Sequence, residues 1–200
     1  FFISVKPFCF ILHLTIQTLI KGFIRLDNHQ VIDAQNLFSQ GEEQGIIANA
    51  QRGDQKAFYQ LYESYHRRMY ALCWRMLADK DSAEDVCQEV FVQLWQNIKN
   101  FRGDSKFSTW LHSVATNVVL GHLRKNKSWL QKVFSIEDNP VVEASEQMQE
   151  LSTLDKHIMR LPERARLVFV LFAVEGYRHE EIAKMMDMAV GSSKSQYHRA

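Results

Sequence analysis

The sequence predicts an all-α protein made of two helical domains joined by a flexible linker. Three observations point there. The chain has 200 residues of which 46% are hydrophobic, enough to bury a core in one domain or two small ones. Only 8 Gly and 3 Pro occur, too little turn punctuation for a sandwich or barrel of many short strands. From Ile46 onward apolar residues recur at steps of three and four, the helical period, and this pattern lapses between residues 129 and 150.

The elements follow in order. The chain starts at Phe1 and its first Met is Met69, so residues 1–44 read as an N-terminal extension of doubtful origin. Their apolar stretch Pro7 to Ile20 is shorter than the roughly 20 residues a spanning helix needs. Residues 45–128 read as the first domain. Phe58, Leu61, Tyr62, Tyr65, Met69, Leu72 and Met76 form one buried face. Asp81 and Ser82 offer caps for a helix from Ala83 to about Ile98, with Val86, Val90, Phe91, Leu94 and Ile98 inward. The turn from Phe101 to Ser105 leads to a helix from Phe107 to about Lys125, with Phe107, Trp110, Leu111, Val114 and Val118 inward. Residues 129–150, rich in Glu and Gln and holding Asn139-Pro140, are the linker.

Residues 151–200 read as the second domain. Helices are expected over Leu151 to Leu161, Glu163 to Val174 and His179 to Met186, then a turn from Asp187 to Gly191 and a last helix from Ser192 to Ala200. The final pair, a helix with Ile182-Ala183, a short turn and a helix opening in small polar residues, is a helix-turn-helix pattern. An ordinary solvated amphipathic helix fits the same segment.

The chemistry of catalysis is missing. No G-x-x-x-x-G-K, G-x-G-x-x-G or G-x-S-x-G occurs, and His179-Glu180-Glu181-Ile182-Ala183 lacks the second His of a zinc protease. Cys9, Cys73 and Cys87 contain no C-x-x-C pair, so neither a disulfide framework nor a metal ribbon is expected, and Cys73 and Cys87 read as small core residues in a reducing cytoplasm. No enzyme activity, cofactor, metal or small-molecule substrate is expected. The net charge of +1 conceals two basic blocks, 12 basic against 8 acidic groups over 45–128 and 8 against 6 over 151–200, around a linker with 1 against 5. Two basic modules on an acidic tether suit a polyanion.

The helix from Ala83 carries a second stripe, Gln88, Val92, Trp95, Gln96 and Lys99, whose apolar centre suits an interface anchor. Cover by Phe38 or another part of the chain is the plain alternative for Trp95.

Three segments, Asp54-Gln55-Lys56-Ala57-Phe58, Ala83 to Phe91 and Phe101 to Leu111, resemble the conserved second region of bacterial sigma factors of the extracytoplasmic-function type. Leu161-Pro162-Glu163-Arg164, Glu180-Glu181-Ile182-Ala183 and Gly191 to Ser195 resemble their fourth region. The resemblance implies a cytoplasmic subunit that binds core RNA polymerase, recognises and melts promoter DNA, and is restrained by an anti-sigma protein. It places Asp85, Gln88, Glu89, Val92 and Trp95 against the polymerase clamp. It places Arg102, Lys106, Trp110 and Asn117 at a flipped base of the minus-ten element, with His122, Arg124 and Lys125 near phosphates of the melted region. Lys194, Ser195, His198 and Arg199 fall at positions facing the minus-thirty-five duplex. An aromatic wall, a basic approach and an amide that donates and accepts are what holding an unstacked base requires. On the residues alone, Trp110 also fits the core, and the basic helix end also fits a dipole complement.

The chain departs from the family pattern at Gly121, where an acidic residue is usual, at Ser193, where a buried branched residue is usual, and at Gln196, where a base is usual. The fourth region reads as cut short at Ala200. Two other functions fit parts of the sequence: a helix-turn-helix regulator acting without polymerase, and a helical adaptor using the Trp95 stripe.

Overall fold

The computed structural model describes residues 40–125 and 153–200. The extension before residue 40, Phe38 and the expected linker lie outside the described residues. Among the described residues the fold is all α, with no strand: α1 (Gln40–Gln51), α2 (Gln55–Leu77), α3 (Lys80–Asn97) ending in a 3₁₀ turn (Ile98–Asn100), α4 (Phe107–Lys125), α5 (Thr153–Arg160), α6 (Glu163–Phe169) running into a π turn (Val170–Val174), α7 (His179–Met185) and α8 (Val190–Arg199).

Side-chain caps set the helix starts. Gly53 takes a positive φ of 92° after α1, and Asp54 then caps α2, its Oδ1 accepting the N–H of Lys56 at 2.8 Å. The 23 residues of α2 contain neither Gly nor Pro. α3 starts earlier than expected, at Lys80, because the cap is Asp79, not Asp81 or Ser82: Asp79 Oδ2 accepts the N–H of Ser82 at 2.8 Å. In α7 the Glu181 carboxylate accepts the N–H of Arg178 at 2.7 Å. The last helix begins two residues earlier than expected, at Val190, and the turn before it holds Asp187 at a positive φ of 51°.

The described residues fall into two compact units. The first comprises 40–65 and 91–102. Its core is Ile47, Ala50, Phe58, Leu61, Tyr65, Phe91, Leu94 and Ile98, with Tyr62 and Phe91 edge to face at 4.7 Å. Gln51 Nε2 donates to the carbonyls of Ile98 at 3.0 Å and Phe101 at 2.9 Å, fixing the chain just before Arg102.

The second unit comprises His66–Val90, 103–125 and 153–200. It buries Met69, Leu72, Cys73 and Met76 of α2, Ala83, Val86, Cys87 and Val90 of α3, and Leu111, Ala115, Val119, Leu120 and Leu123 of α4. Cys73 and Cys87 are core residues, and the hydrogen-bonding neighbour Cys73, together with burial, pushes the Cys87 thiol up. The inward face of α4 is turned from the one expected: Phe107 and Leu111 are buried, but Trp110, Val114 and Val118 are only half-buried. Ala115 and Val119, one residue further along, fill the positions assigned to Val114 and Val118, because the smaller stripe at 111, 115, 119 and 123 keeps steps of four.

In the C-terminal part, α8 packs on α6 and α7, and Ile158, Leu167, Val168, Leu171, Ile182 and Met186 are buried. The helix expected from Glu163 to Val174 is one continuous element whose last turn widens, the N–H of Glu175 reaching back to the Val170 carbonyl at 2.9 Å. Ser193 is fully buried, and His179 Nδ1 lies 3.0 Å from its hydroxyl. That bond satisfies the polar atom at the position where the sequence departs from an apolar residue. The His179 ring also stacks on Phe172, 4.3 Å between centroids.

Candidate nucleic-acid and partner interface

On α3, Asp85, Gln88, Glu89, Val92, Trp95 and Gln96 run along the side opposite the buried Val86, Val90 and Leu94. Asp85, Glu89 and Gln96 are exposed; Gln88, Val92 and Trp95 are half-buried. Another part of the chain partly covers Trp95, the alternative that the sequence leaves open. Phe58 of α2 meets it edge to face, 4.8 Å between centroids at 81°, so part of its surface is already committed. What stays open is an apolar centre flanked by carboxylates and amides, the composition of an interface patch.

The loop before α4 leaves Arg102, Asp104, Ser105 and Lys106 exposed, and Gly103 turns the chain with a φ of 83°. Lys106 is the cap residue of α4, its carbonyl accepting the N–H of Trp110 at 3.1 Å. From it, Trp110, Ser113, Asn117, Gly121 and Arg124 follow at steps of three and four and share one face. Trp110 is half-buried with its ring 5.8 Å from Phe107, which places it on the rim of the core rather than inside it. Asn117 is exposed two turns further along, so the helix brings Lys106, Trp110 and Asn117 together. His122 is half-buried, and Arg124 and Lys125 are exposed in the last turn. Arg124 is engaged, donating to the Met185 carbonyl at 2.7 Å.

On α8, Lys194, Ser195, His198 and Arg199 are all exposed, while Ser193 faces inward. Lys194, Ser195 and His198 share a face; Arg199 lies one residue round from it. Among the described residues no group of three or more His, Cys, Asp or Glu side chains could hold a metal ion, and no helix is long and apolar enough to cross a membrane.

Sequence reasoning missed several polar residues that set this geometry. Arg166 is 5% exposed and donates to the carbonyls of Met76, Leu77, Met159 and Leu161 at 3.1 to 3.5 Å. Burial lowers its pKa, opposed by nearby Glu163. A signal was present: Arg166 interrupts the apolar run Ala165, Leu167, Val168. Arg75 pairs with Asp155 at 2.6 Å and His112 with Glu175, pairs joined across 80 and 63 residues that no local pattern announces.

Sequence comparison decides the family. Residues 61–128 match the profile of Sigma-70 region 2, and residues 151–200 match Sigma-70, region 4. The ECF RNA polymerase sigma factor SigW of Bacillus subtilis is 33% identical over 167 residues, covering 76% of this chain and 89% of its own length. The chain belongs to the extracytoplasmic-function sigma factors. The RNA polymerase sigma-H factor of Pseudomonas aeruginosa is 30% identical over 82% of this chain and 92% of its own. The sigma-E factor of Escherichia coli K12 is 32% identical over 79% and 90%. Among solved structures, CnrH in complex with the cytosolic domain of CnrY is similar at 22% identity and a TM-score of 0.48, covering 79% of this chain and 91% of that one. As a sigma factor the protein binds RNA polymerase and recognises promoters. A regulator acting without polymerase, or an adaptor without DNA, would leave the region 2 match unexplained. Region 2 takes in the candidate faces of α3 and α4, and region 4 takes in α8.

Proposed function

We propose that the α3 face from Asp85 through Gln88, Glu89 and Val92 to Trp95 docks on core polymerase, that the α4 face holds the melted minus-ten strand, and that Lys194, Ser195, His198 and Arg199 of α8 meet the minus-thirty-five duplex. The single observation carrying this reading is the juxtaposition of Lys106, Trp110 and Asn117 along one face of α4: a cation at its cap, a rim aromatic and an exposed amide within about three turns. A base leaving the stack loses a few kcal/mol. Stacking on an aromatic ring returns about 1–3 kcal/mol per base, and an amide can read the base edge. Arg102, Arg124 and Lys125 supply charge, and His122 a hydrogen-bonding ring, for the adjoining phosphates.

In this reading residues 45–128 and 151–200 are the two working domains, 129–150 is their tether and 1–44 an extension. The protein acts in the cytoplasm and catalyses no reaction itself, binding energy alone opening the duplex. The half-open apolar centre at Val92 and Trp95 also supports a restraining anti-sigma partner that covers it when polymerase does not. The test is run-off transcription with core polymerase, joined to permanganate footprinting. Asn117→Ala is expected to keep polymerase binding and closed-complex formation but to reduce strand opening, by roughly 5- to 150-fold if one two-point contact of about 1–3 kcal/mol is removed. Opening at the parental level would overturn the strand-holding role of α4.

A further inference from the structure

One imidazole ring holds α8 at two points. Ser193 is fully buried, and its hydroxyl lies 3.0 Å from Nδ1 of His179, the first residue of α7. One turn further along α8, Tyr197 meets the same ring edge to face, 5.9 Å between centroids. The ring is itself held: Phe172 stacks on it at 4.3 Å and 12°, and Tyr197 in turn lies 4.6 Å from Phe172. The bond from the Arg178 N–H to the Glu181 carboxylate fixes the start of α7, from which His179 projects. A hydroxyl both donates and accepts, so the bond to Nδ1 forms with either ring tautomer. An apolar residue at 193 would fill the same space, but apolar contact has no direction and tolerates small rolls of the helix. A hydrogen bond to a buried atom has direction, and one buried polar group can fix the register of packed helices at a cost in stability. Rolling α8 by about 20° carries a side-chain end about 5–6 Å from its axis through about 2 Å. That exceeds what a hydrogen bond to a base edge tolerates. Lys194 and Ser195 directly follow Ser193, so the angle held at Ser193 sets theirs.

We propose that His179 and Ser193 are positioning residues for promoter recognition: their bond fixes the roll of α8, and with it the base pairs that Lys194, Ser195 and His198 address. The inference rests on the reading of α8 as the helix that meets the minus-thirty-five duplex. In this chain a polar pair does the work at the position where a buried branched residue is usual, so base-pair preference and packing at Ser193 are separable.

The test uses the full chain bound to core polymerase and, as probe, a pool of randomised DNA duplexes from which the parent selects its preferred sequence. The affinity for that duplex is then divided by the affinity for duplexes changed at single base pairs of the upstream element. This ratio compares one preparation with itself, so an unfolded fraction cancels and a merely structural loss leaves it unchanged. His179→Phe with Ser193→Ala removes both partners and strands neither, so helix content by circular dichroism is expected to hold. The preference ratio is expected to fall about tenfold, the order of one two-point base contact. Ser193→Ala alone, a smaller change, is expected to move the ratio in the same direction, and Ser193→Thr, which keeps the hydroxyl, to retain the parental ratio. Parental discrimination in the double variant and in Ser193→Ala overturns the positioning role. An equal loss in Ser193→Thr traces the effect to packing and overturns it as well. Lys194→Ala and Ser195→Ala are measured alongside. If neither weakens duplex binding, the reading of α8 as the DNA helix fails and the positioning role with it; if they do while the double variant discriminates as the parent does, only the positioning bond fails.

Discussion

Arg166 is the residue whose environment departs most from its type. A guanidinium in the interior normally meets a carboxylate; here it meets four backbone carbonyls, two ending α2 and two at the end of α5. Helix C-termini leave carbonyls unsatisfied and carry partial negative charge, so one planar fork can serve both. Arg166→Met keeps the length but strands those acceptors, and a loss of about 2–4 kcal/mol in urea unfolding is expected. Arg166→Lys, with three donors and no fork, should recover only part of it. A loss below about 1 kcal/mol for the Met variant would mean that water replaces the guanidinium. His66 makes a second case at this scale. Burial, assisted by Arg67, lowers its pKa from 6.5 to about 4. The unfolded chain therefore takes up a proton between pH 6.5 and 4 that the folded chain refuses, so stability falls as pH drops through that window. Between pH 7 and 5 the expected loss is roughly 1–2 kcal/mol, and His66→Gln should flatten it. An identical slope in the variant would place the pH response elsewhere.

At the scale of elements, what the sequence revealed depended on whether the cause was local. The steps of three and four in α2 and α3 placed their buried residues, the half-buried Tyr62 apart, because within each unit the helix segment turns one side inward. In α4 the same period was read one residue off, since Trp110 looks like core by type while Ala115, small and neutral in pattern, is the residue fully buried. The start of α3 was misplaced because Asp79, Asp81 and Ser82 are all capping types, and only geometry shows that Asp79 accepts the Ser82 N–H. The π turn after α6 and the pairs of Arg75 with Asp155 and His112 with Glu175 depend on residues distant in sequence. The candidate site was legible for the opposite reason: each of its faces lies on a single helix. The contact with Phe58 changes what Trp95 should do. Trp95→Ala is expected to weaken polymerase association by about 2 kcal/mol or more, as interface anchors do. It should also lower stability by about 1 kcal/mol through the lost ring pair. Trp95→Phe should restore most of the stability and only part of the binding. Equal recovery of both would make the ring a core residue without an interface role.

For the whole molecule, a net charge of +1 gives no attraction to DNA by itself, so binding has to come from where the charges stand. On α8 the cations are Lys194 and Arg199 with His198 between them, all exposed, and the uncharged Ser195 shares their surface. Phosphate contacts and base contacts leave different traces in salt. Each phosphate neutralised by a cation contributes a slope of about −0.9 in the logarithm of affinity against the logarithm of salt, whereas a hydroxyl reading a base contributes affinity without slope. With the full chain bound to core polymerase and titrated against promoter duplex, Lys194→Ala and Arg199→Ala are each expected to reduce the steepness by about one unit, and Ser195→Ala to weaken binding at unchanged steepness. Asn117 lies on another helix and shares no hydrogen-bond partner with Lys194 among the contacts described, so in the polymerase complex their losses should add to within about 0.5 kcal/mol. A steepness unchanged from the parent in both cation variants would remove α8 from the DNA and leave promoter contact to α4. Strong coupling between Asn117→Ala and Lys194→Ala in the polymerase complex would mean that the two DNA-facing helices act as one site, not as separate grips on the promoter.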